Sequence, residues 1–179
     1  RFTITVLCFQ LLFSGLLSAQ EEVKKIELLN AESIDYDETT LGPEVKRLVG
    51  QVSFKHDNAI LTCDSAYFNS VQNNAFMYSN VRINQGDTLQ LFGDRIDYYG
   101  NTKLAKIRNN VRLVHTKAEL LTDSMNYDRN TDVGYYFNYG TIKDAENTLV
   151  SEWGYYYTKD RDFFAVNKVV LTNPRYQMF

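Results

Sequence analysis

The sequence has almost no cysteine and almost no proline. Of its 179 residues, two are cysteine and two are proline. Because Cys8 lies inside an apolar N-terminal run, only Cys63 belongs to the body of the chain, which excludes an intramolecular disulfide framework. With 13 tyrosines and 11 phenylalanines, the composition favours β-strands held together by packing and backbone hydrogen bonds.

Positive charge is also scarce. Residues 1–19 contain one basic side chain, Arg1, so the remaining chain has 18 basic against 22 acidic side chains, a net charge of −4. An acidic body argues against a nucleic-acid partner and against a polybasic membrane patch.

Motifs of the common catalytic sites are missing too. The sequence has no glycine-rich phosphate loop, no G-x-S-x-G and no setting for a reactive cysteine. Ser65 and Ser124 each follow an aspartate, but no histidine stands in the corresponding frame. We therefore expect no enzyme, no cofactor and no metal site.

The N-terminus has the layout of a secretory signal peptide. An uncharged apolar run, ITVLCFQLLFSGLLSAQ, ends in small residues and follows a single charge at Arg1. This predicts a signal peptide over residues 1–19 and an exported domain over residues 20–179. An uncleaved N-terminal anchor is the alternative. The missing initiator Met indicates a trimmed start, and we expect the natural protein to continue beyond Phe179.

The body of the chain repeats with a period of about thirty residues. Five short segments open the repeats, and they begin 29, 30, 29 and 29 residues apart. The segments are GQVSF at Gly50, SNVRI at Ser79, NNVRL at Asn109, NYGTI at Asn138 and NKVVL at Asn167. Such a period is typical of a stack of similar supersecondary units, here of roughly three short strands each. We expect helix only in the signal segment.

An acidic residue recurs once in each repeat, with fixed neighbours. The acids are Glu32, Asp64, Asp94, Asp123 and Glu152. Leucine stands three residues before each acid, at Leu29, Leu61, Leu91, Leu120 and Leu149. An aromatic residue stands four after it, at Tyr36, Phe68, Tyr98, Tyr127 and Tyr156. The second residue after it is Ile34, Ala66, Ile96, Met125 or Gly154.

The spacing of these columns predicts a bulge or sharp bend at the acid. Positions −3 and +4 differ in parity, so one regular strand cannot place both on the same face. A bulge restores the phase. We therefore interpret the acids as a structural corner, whose carboxylates accept backbone N–H groups, rather than as catalytic carboxylates. The fourth repeat departs from the pattern, with Gly140 in the opening strand and Gly154 after its acid.

Two histidines, His56 and His115, share one repeat offset, which suggests a metal site. They lie two repeats apart, roughly 10 Å in a strand stack, and Gln85 fills the position between them. Glutamine is a poor zinc ligand. We therefore interpret both histidines as solvated loop residues.

The segments GQVSFKHDNAILTCDSAYFN, SNVRINQGDTLQLFGDRIDYY and NNVRLVHTKAELLTDSMNYD resemble the OstA-like N-terminal domain family, whose fold is that of the periplasmic lipopolysaccharide-transport protein LptA. The resemblance covers residues 23–174. It implies an all-β, open, V-shaped antiparallel β-jelly roll without enzymatic activity, in the periplasm and associated with the outer membrane.

The resemblance also implies a ligand and partners. The ligand is lipopolysaccharide, whose lipid A acyl chains occupy an apolar groove. The partners are other OstA-like domains, including a second copy of this chain, joined edge to edge by β-strand addition. The stack of repeats itself leaves unpaired backbone groups near Ile26–Tyr36 and Lys168–Thr172, where we expect the joints. Candidate groove residues from the aligned columns are Leu61, Leu91, Leu120, Leu149, Phe54, Ile83, Leu113, Ile96, Met125, Phe68, Tyr98 and Tyr127.

Two other functions stay open at this point. One is an exported β-repeat module that binds glycan or protein, and the other is a structural spacer. An open apolar trough favours lipid transport, whereas a filled core with an outward aromatic strip favours the binding module.

Overall fold

The computed structural model describes residues 24–36, 38–42 and 44–178, so the expected signal peptide lies outside the described residues. The described chain forms one antiparallel sheet of 14 strands. The strands are β1 (Glu27–Asn30), β2 (Ser33–Tyr36), β3 (Val45–His56), β4 (Ala59–Asn69), β5 (Asn74–Gln85), β6 (Leu89–Tyr99), β7 (Leu104–His115), β8 (Ala118–Asp128), β9 (Val133–Lys143), β10 (Thr148–Ser151), β11 (Trp153–Tyr157), β12 (Asp162–Val166), β13 (Val170–Asn173) and β14 (Tyr176–Met178).

The all-β prediction is confirmed. The helix that the structure describes is a single turn, α1 (Glu38–Leu41), in the segment that lengthens the first repeat. It corrects the expectation that only the signal segment would be helical. No helix in the described residues is long and apolar enough to cross a membrane.

Each pairing between the long strands β3 to β9 is interrupted by a bulge beside the midpoint, as the parity of the columns predicts, and the extra residue lies in β3, β5, β7 or β9. Between Tyr78 and Val81 of β5, the two residues Ser79 and Asn80 stand opposite Asp94 alone. Their φ angles of 62° and 52° lie in the left-handed region, which asparagine tolerates better than most residues. The same irregularity recurs in every pairing from β3–β4 to β8–β9.

The acidic column lies at these bulges and is held by side-chain amides. In the first three repeats the amide groups of Gln51, Asn80 and Asn110 donate to Glu32, Asp64 and Asp94, at 2.8, 2.7 and 2.6 Å. The expected backbone donors are thus replaced by side chains of the neighbouring strand. The amide fits because a left-handed backbone turns it towards the carboxylate across the bend.

The bend divides the sheet into two limbs, which face each other. The first limb contains β2, β11, β12 and the halves of β3 to β9 that pair with them; the second contains β1, β10, β13, β14 and the other halves. Phe54 of the second limb packs on Phe68 of the first, with ring centroids 5.2 Å apart. The core lies between the limbs.

Each limb ends in its own pair of edge strands. Among the described residues, β2 of the first limb pairs only with β3, and β12 only with β11. In the second limb the edges are β1 and β14. The edge predicted at Lys168–Thr172 is therefore wrong at the C-terminal end, because β13 is covered on one side by β10 and on the other by β14.

Candidate functional site

The candidate groove residues lie together between the two limbs, in a filled interior. Leu149 is half-buried, and the other eleven are at most 5% exposed. Their contact with acyl chains stays a prediction, because in this conformation the side chains pack against one another. Reaching them requires the limbs to separate. The eleven are Phe54, Leu61, Phe68, Ile83, Leu91, Ile96, Tyr98, Leu113, Leu120, Met125 and Tyr127.

Opposite the bend, the free ends of the two limbs meet along a line that we call the seam. On the first limb its rim consists of the loops 70–73, 100–103, 129–132 and 158–161. On the second limb the rim consists of the loops 57–58, 86–88, 116–117 and 144–147. Polar side chains from the rims and the adjoining strand ends meet across this line.

Arg129 is the centre of the seam. Although it is only 8% exposed, its guanidinium makes several contacts with groups on both limbs. It donates to Tyr98 Oη at 2.6 Å on its own limb. Across the seam it donates to Gln85 Oε1 at 2.8 Å and to Asn58 Oδ1 at 3.0 Å. The planar guanidinium with its five donors suits such a bridging position.

Further contacts continue the seam on either side of Arg129. Gln85 donates to Asp132 at 2.9 Å. Lys103 Nζ lies 2.9 Å from Asp57 Oδ2, and Lys24 Nζ lies 3.2 Å from Oδ1 of the same carboxylate. Burial alone would raise the pKa of Asp57, but the hydrogen bonds from Lys103 and Lys24 outweigh it and lower that pKa to about 2.

Both histidines belong to the seam rather than to solvated loops, which corrects the sequence interpretation. His56 is 1% and His115 is 8% exposed. His56 Nδ1 lies 2.6 Å from Tyr98 Oη, and His115 Nδ1 lies 2.7 Å from Tyr156 Oη. Burial lowers the pKa of each imidazole, and for His56 the Arg129 cation acts in the same direction. The described residues contain no cluster of ligands for a metal ion.

Backbone hydrogen bonds run along each rim and not across the seam. On the first limb Gly100 donates to Asn73 at 2.7 Å and Arg129 donates to Lys103 at 3.1 Å. On the second limb Thr116 donates to Thr88 at 3.2 Å. Within the described residues, each hydrogen bond between the rims uses at least one side chain, so the seam lacks the continuous ladder that holds neighbouring strands.

An aromatic surface on the outer face of the first limb was missed by the sequence analysis. It is densest on β9, β11 and β12, where Tyr135, Trp153 and Tyr155 contact one another. The sequence does contain the pattern that predicts this surface: aromatic residues alternate with the inward residues of the aligned columns and so lie on the opposite face of each strand. Strand register places one row across the limb: Tyr67, Phe76, Asp97, Lys106, Asn126, Tyr135, Tyr155 and Phe164.

A stack of bent strands with an apolar interior, a polar seam and open edges defines a β-repeat scaffold. The chain belongs to the family of OstA-like proteins, whose family model matches residues 23–179. No curated protein matches the chain.

Among the solved structures that match is LptH of Pseudomonas aeruginosa, described as the LptA-homologous periplasmic component of a lipopolysaccharide-transport device. It is 12% identical to this chain, with a TM-score of 0.46, and the match covers 83% of this chain and 94% of LptH.

Proposed function

We propose that this protein is a non-enzymatic component of lipopolysaccharide transport in the periplasm, where it serves outer-membrane assembly. The acyl chains of lipid A lie between the two limbs, against the groove residues named above. Membership of the OstA-like family supports this function. So does an apolar interior that extends over successive repeats rather than forming one closed pocket.

The seam is the observation that carries the proposal. Acyl chains need a continuous apolar path, and the buried side chains between the limbs would line one once the limbs separate. Side-chain hydrogen bonds across the seam can exchange with water as the rims part, whereas opening the sheet between two strands would break a backbone ladder. We infer that lipid enters sideways through the seam, with the bulges acting as the hinge.

The bridge function rests on the edge strands. In the part of the chain that the structure describes, β1 and β2 leave unpaired edges at one end, and β12 and β14 leave them at the other. Exposed edges template strand addition. We propose that other OstA-like domains, including a second copy of this chain, join there and extend the apolar interior from one domain to the next.

A reversible cross-link across the seam tests lipid entry. We would replace Asn58 and Arg129 by cysteine in a chain lacking Cys8 and join them with a cleavable bis-maleimide. Native Cys63 is buried, which raises its pKa to about 12 and keeps it unreactive. The linked protein should bind acyl-labelled lipopolysaccharide at least about tenfold more weakly than the same protein after cleavage.

The matched control joins two positions on one rim. Asn130 donates to the backbone oxygen of Thr102 at 2.8 Å, and both residues are exposed on the first limb. A cross-link between cysteines at these positions should leave lipopolysaccharide binding unchanged. Equal binding by the linked and cleaved forms of the seam pair would contradict lateral entry.

A second candidate function also has an observation in its favour. The core is filled and the first limb carries an outward aromatic surface, which is the combination expected of an exported module that binds glycan or protein. The aromatic surface does not exclude lipid transport, because it faces away from the interior.

A further inference from the structure

A cavity of about 450 Å³ opens on the outside of the first limb, at the bend of the fourth repeat. Its volume lies within the range of small-molecule sites, about 300–1,000 Å³. Four aromatic side chains, one amide and one carboxylate surround it. The lining residues are Tyr135, Phe137, Asn138, Tyr139, Glu152 and Trp153.

The cavity exists because the fourth repeat departs from the corner pattern. In the earlier repeats the second left-handed residue of the bulge carries an amide that donates to an acid. In the fourth repeat that residue is Tyr139, with φ of 66° and a side chain 47% exposed. Its ring stands out from the bend and forms one wall.

Polar groups in the cavity have unused hydrogen-bonding capacity. The nearest cation to the Glu152 carboxylate is Lys168 Nζ, at 4.0 Å, which is too long for a hydrogen bond. Among the described residues neither this carboxylate nor the Asn138 amide has a hydrogen-bond partner, although both line the cavity. They can therefore accept and donate to a ligand that brings hydroxyl groups.

The aromatic walls are held in place by their neighbours. The Tyr135 ring lies 5.5 Å from Phe137, 6.4 Å from Trp153 and 4.9 Å from Tyr155, measured between centroids. These contacts join two paired strands, β9 and β11. The site is therefore formed before any ligand binds, which lowers the entropy cost of binding.

Three other classes of ligand fit the cavity poorly. A cationic ligand would compete with cations of the chain itself for the aromatic rings. The Arg108 guanidinium lies 5.2 Å from the centroid of the Phe137 ring, and the Lys168 ammonium lies 5.3 Å from that of the Tyr139 ring. An acyl chain would desolvate the Glu152 carboxylate without giving it a donor. A protein partner requires an interface of about 800 Å² on each side, whereas this feature is a small concave site.

We propose that this cavity is a carbohydrate-binding site. A pyranose ring presents an apolar face of C–H groups, which pack on aromatic rings, and a rim of hydroxyls, which pair with Glu152 and Asn138. The site faces outward, so it binds sugar independently of lipid in the interior.

The test uses Trp153, which is the only tryptophan of the chain and lines the cavity. Three probes are titrated: maltohexaose, mannohexaose, and the lipid-free oligosaccharide released from lipopolysaccharide by mild acid. At least one should produce a saturable change in Trp153 fluorescence. Binding of only the released oligosaccharide supports the site and identifies the lipid's own sugars as the source. Binding of the neutral hexose oligomers supports a site for other glycans.

Glu152→Gln and Tyr139→Ala should each weaken saccharide binding about tenfold or more, because the first loses a charged acceptor and the second loses a wall. Tyr67→Ala, on the same outer face but on β4, is the matched control and should bind like the parent. The protein cross-linked across the seam between positions 58 and 129 should also bind saccharide like the parent. The saccharide result therefore does not depend on whether lipid enters through the seam. Absence of any saturable change, or equal binding by Glu152→Gln and the parent, would overturn the proposal.

Discussion

At the scale of single residues, the interior depends on tyrosines whose rings are buried and whose hydroxyls reach polar partners. Tyr98 reaches Arg129 and His56, Tyr156 reaches His115, and Tyr136 reaches Ser151. No buried side-chain nitrogen or oxygen in the described residues lacks a hydrogen-bond partner. Because an unpaired buried polar group is costly, the seam is stable only while these partners keep their protonation states.

Stability should therefore fall on mild acidification. The pKa values of His56 and His115 are lowered in the folded state by burial, so below the ordinary histidine value of about 6.5 the unfolded chain binds more protons. The stabilisation is present above that pH and is lost as pH falls through the folded pKa values. We expect the thermal unfolding midpoint to be lower at pH 5 than at pH 7.

The double variant His56→Gln/His115→Gln is the control for this effect. Glutamine keeps a hydrogen-bonding group but does not titrate, so the double variant should show a flatter dependence between pH 7 and pH 5. Asp57, whose pKa is lowered to about 2, contributes only in a more acidic window, where stability falls as that carboxylate protonates. A parent and a double variant with the same pH profile would contradict the assignment to the histidines.

At the scale of the strand, the bend rests on residues in the left-handed conformation. Asn80 has φ of 52° and donates to Asp64 at 2.7 Å. Asn80→Val should lower the free energy of unfolding by roughly 2–3 kcal/mol, because a β-branched residue is strained there and the amide is lost. Asn80→Gly, which loses only the amide, should cost about 1 kcal/mol or less. Urea denaturation measures both.

The matched control for the bend lies on the same strand. Asn84 belongs to β5 but is not among the residues with positive φ. Asn84→Val should change the free energy of unfolding by less than about 1 kcal/mol, because valine suits an ordinary strand position. If Asn80→Val were no worse than Asn80→Gly, the left-handed conformation would not be what sets the bend.

The strands and bends could be predicted from sequence because they follow from local parity. Leu91 and Tyr98 differ in parity around Asp94 in the same way as their counterparts in the other repeats, and only a bulge or sharp bend at or near the acid reconciles them. The seam could not be predicted, since Arg129 lies 31 residues from Tyr98 and 73 from His56 and belongs to no aligned column. The outer aromatic residues were missed because only the inward parity was aligned.

At the scale of the whole molecule, the sheet splits into two limbs at both ends. β9 pairs with β10 through one half and with β11 through the other, and β3 pairs in the same way with β1 and β2. Each end therefore offers two edges side by side rather than one. A partner of the same fold can pair with both limbs at once, which aligns its interior with that of this chain.

This arrangement predicts end-to-end association through β12. In an antiparallel edge strand successive N–H groups point alternately to the partner strand and to the open edge, so Phe164 and Ala165 differ in direction. Of the variants Phe164→Pro and Ala165→Pro, one should lose a bond to β11 and unfold more easily. The other should fold like the parent but lose association, because its N–H was available to the next domain.

Sedimentation at rising concentration measures association, which should depend little on salt since backbone hydrogen bonds form the joint. A parent chain that stays monomeric and binds no domain of the same fold would refute the bridge.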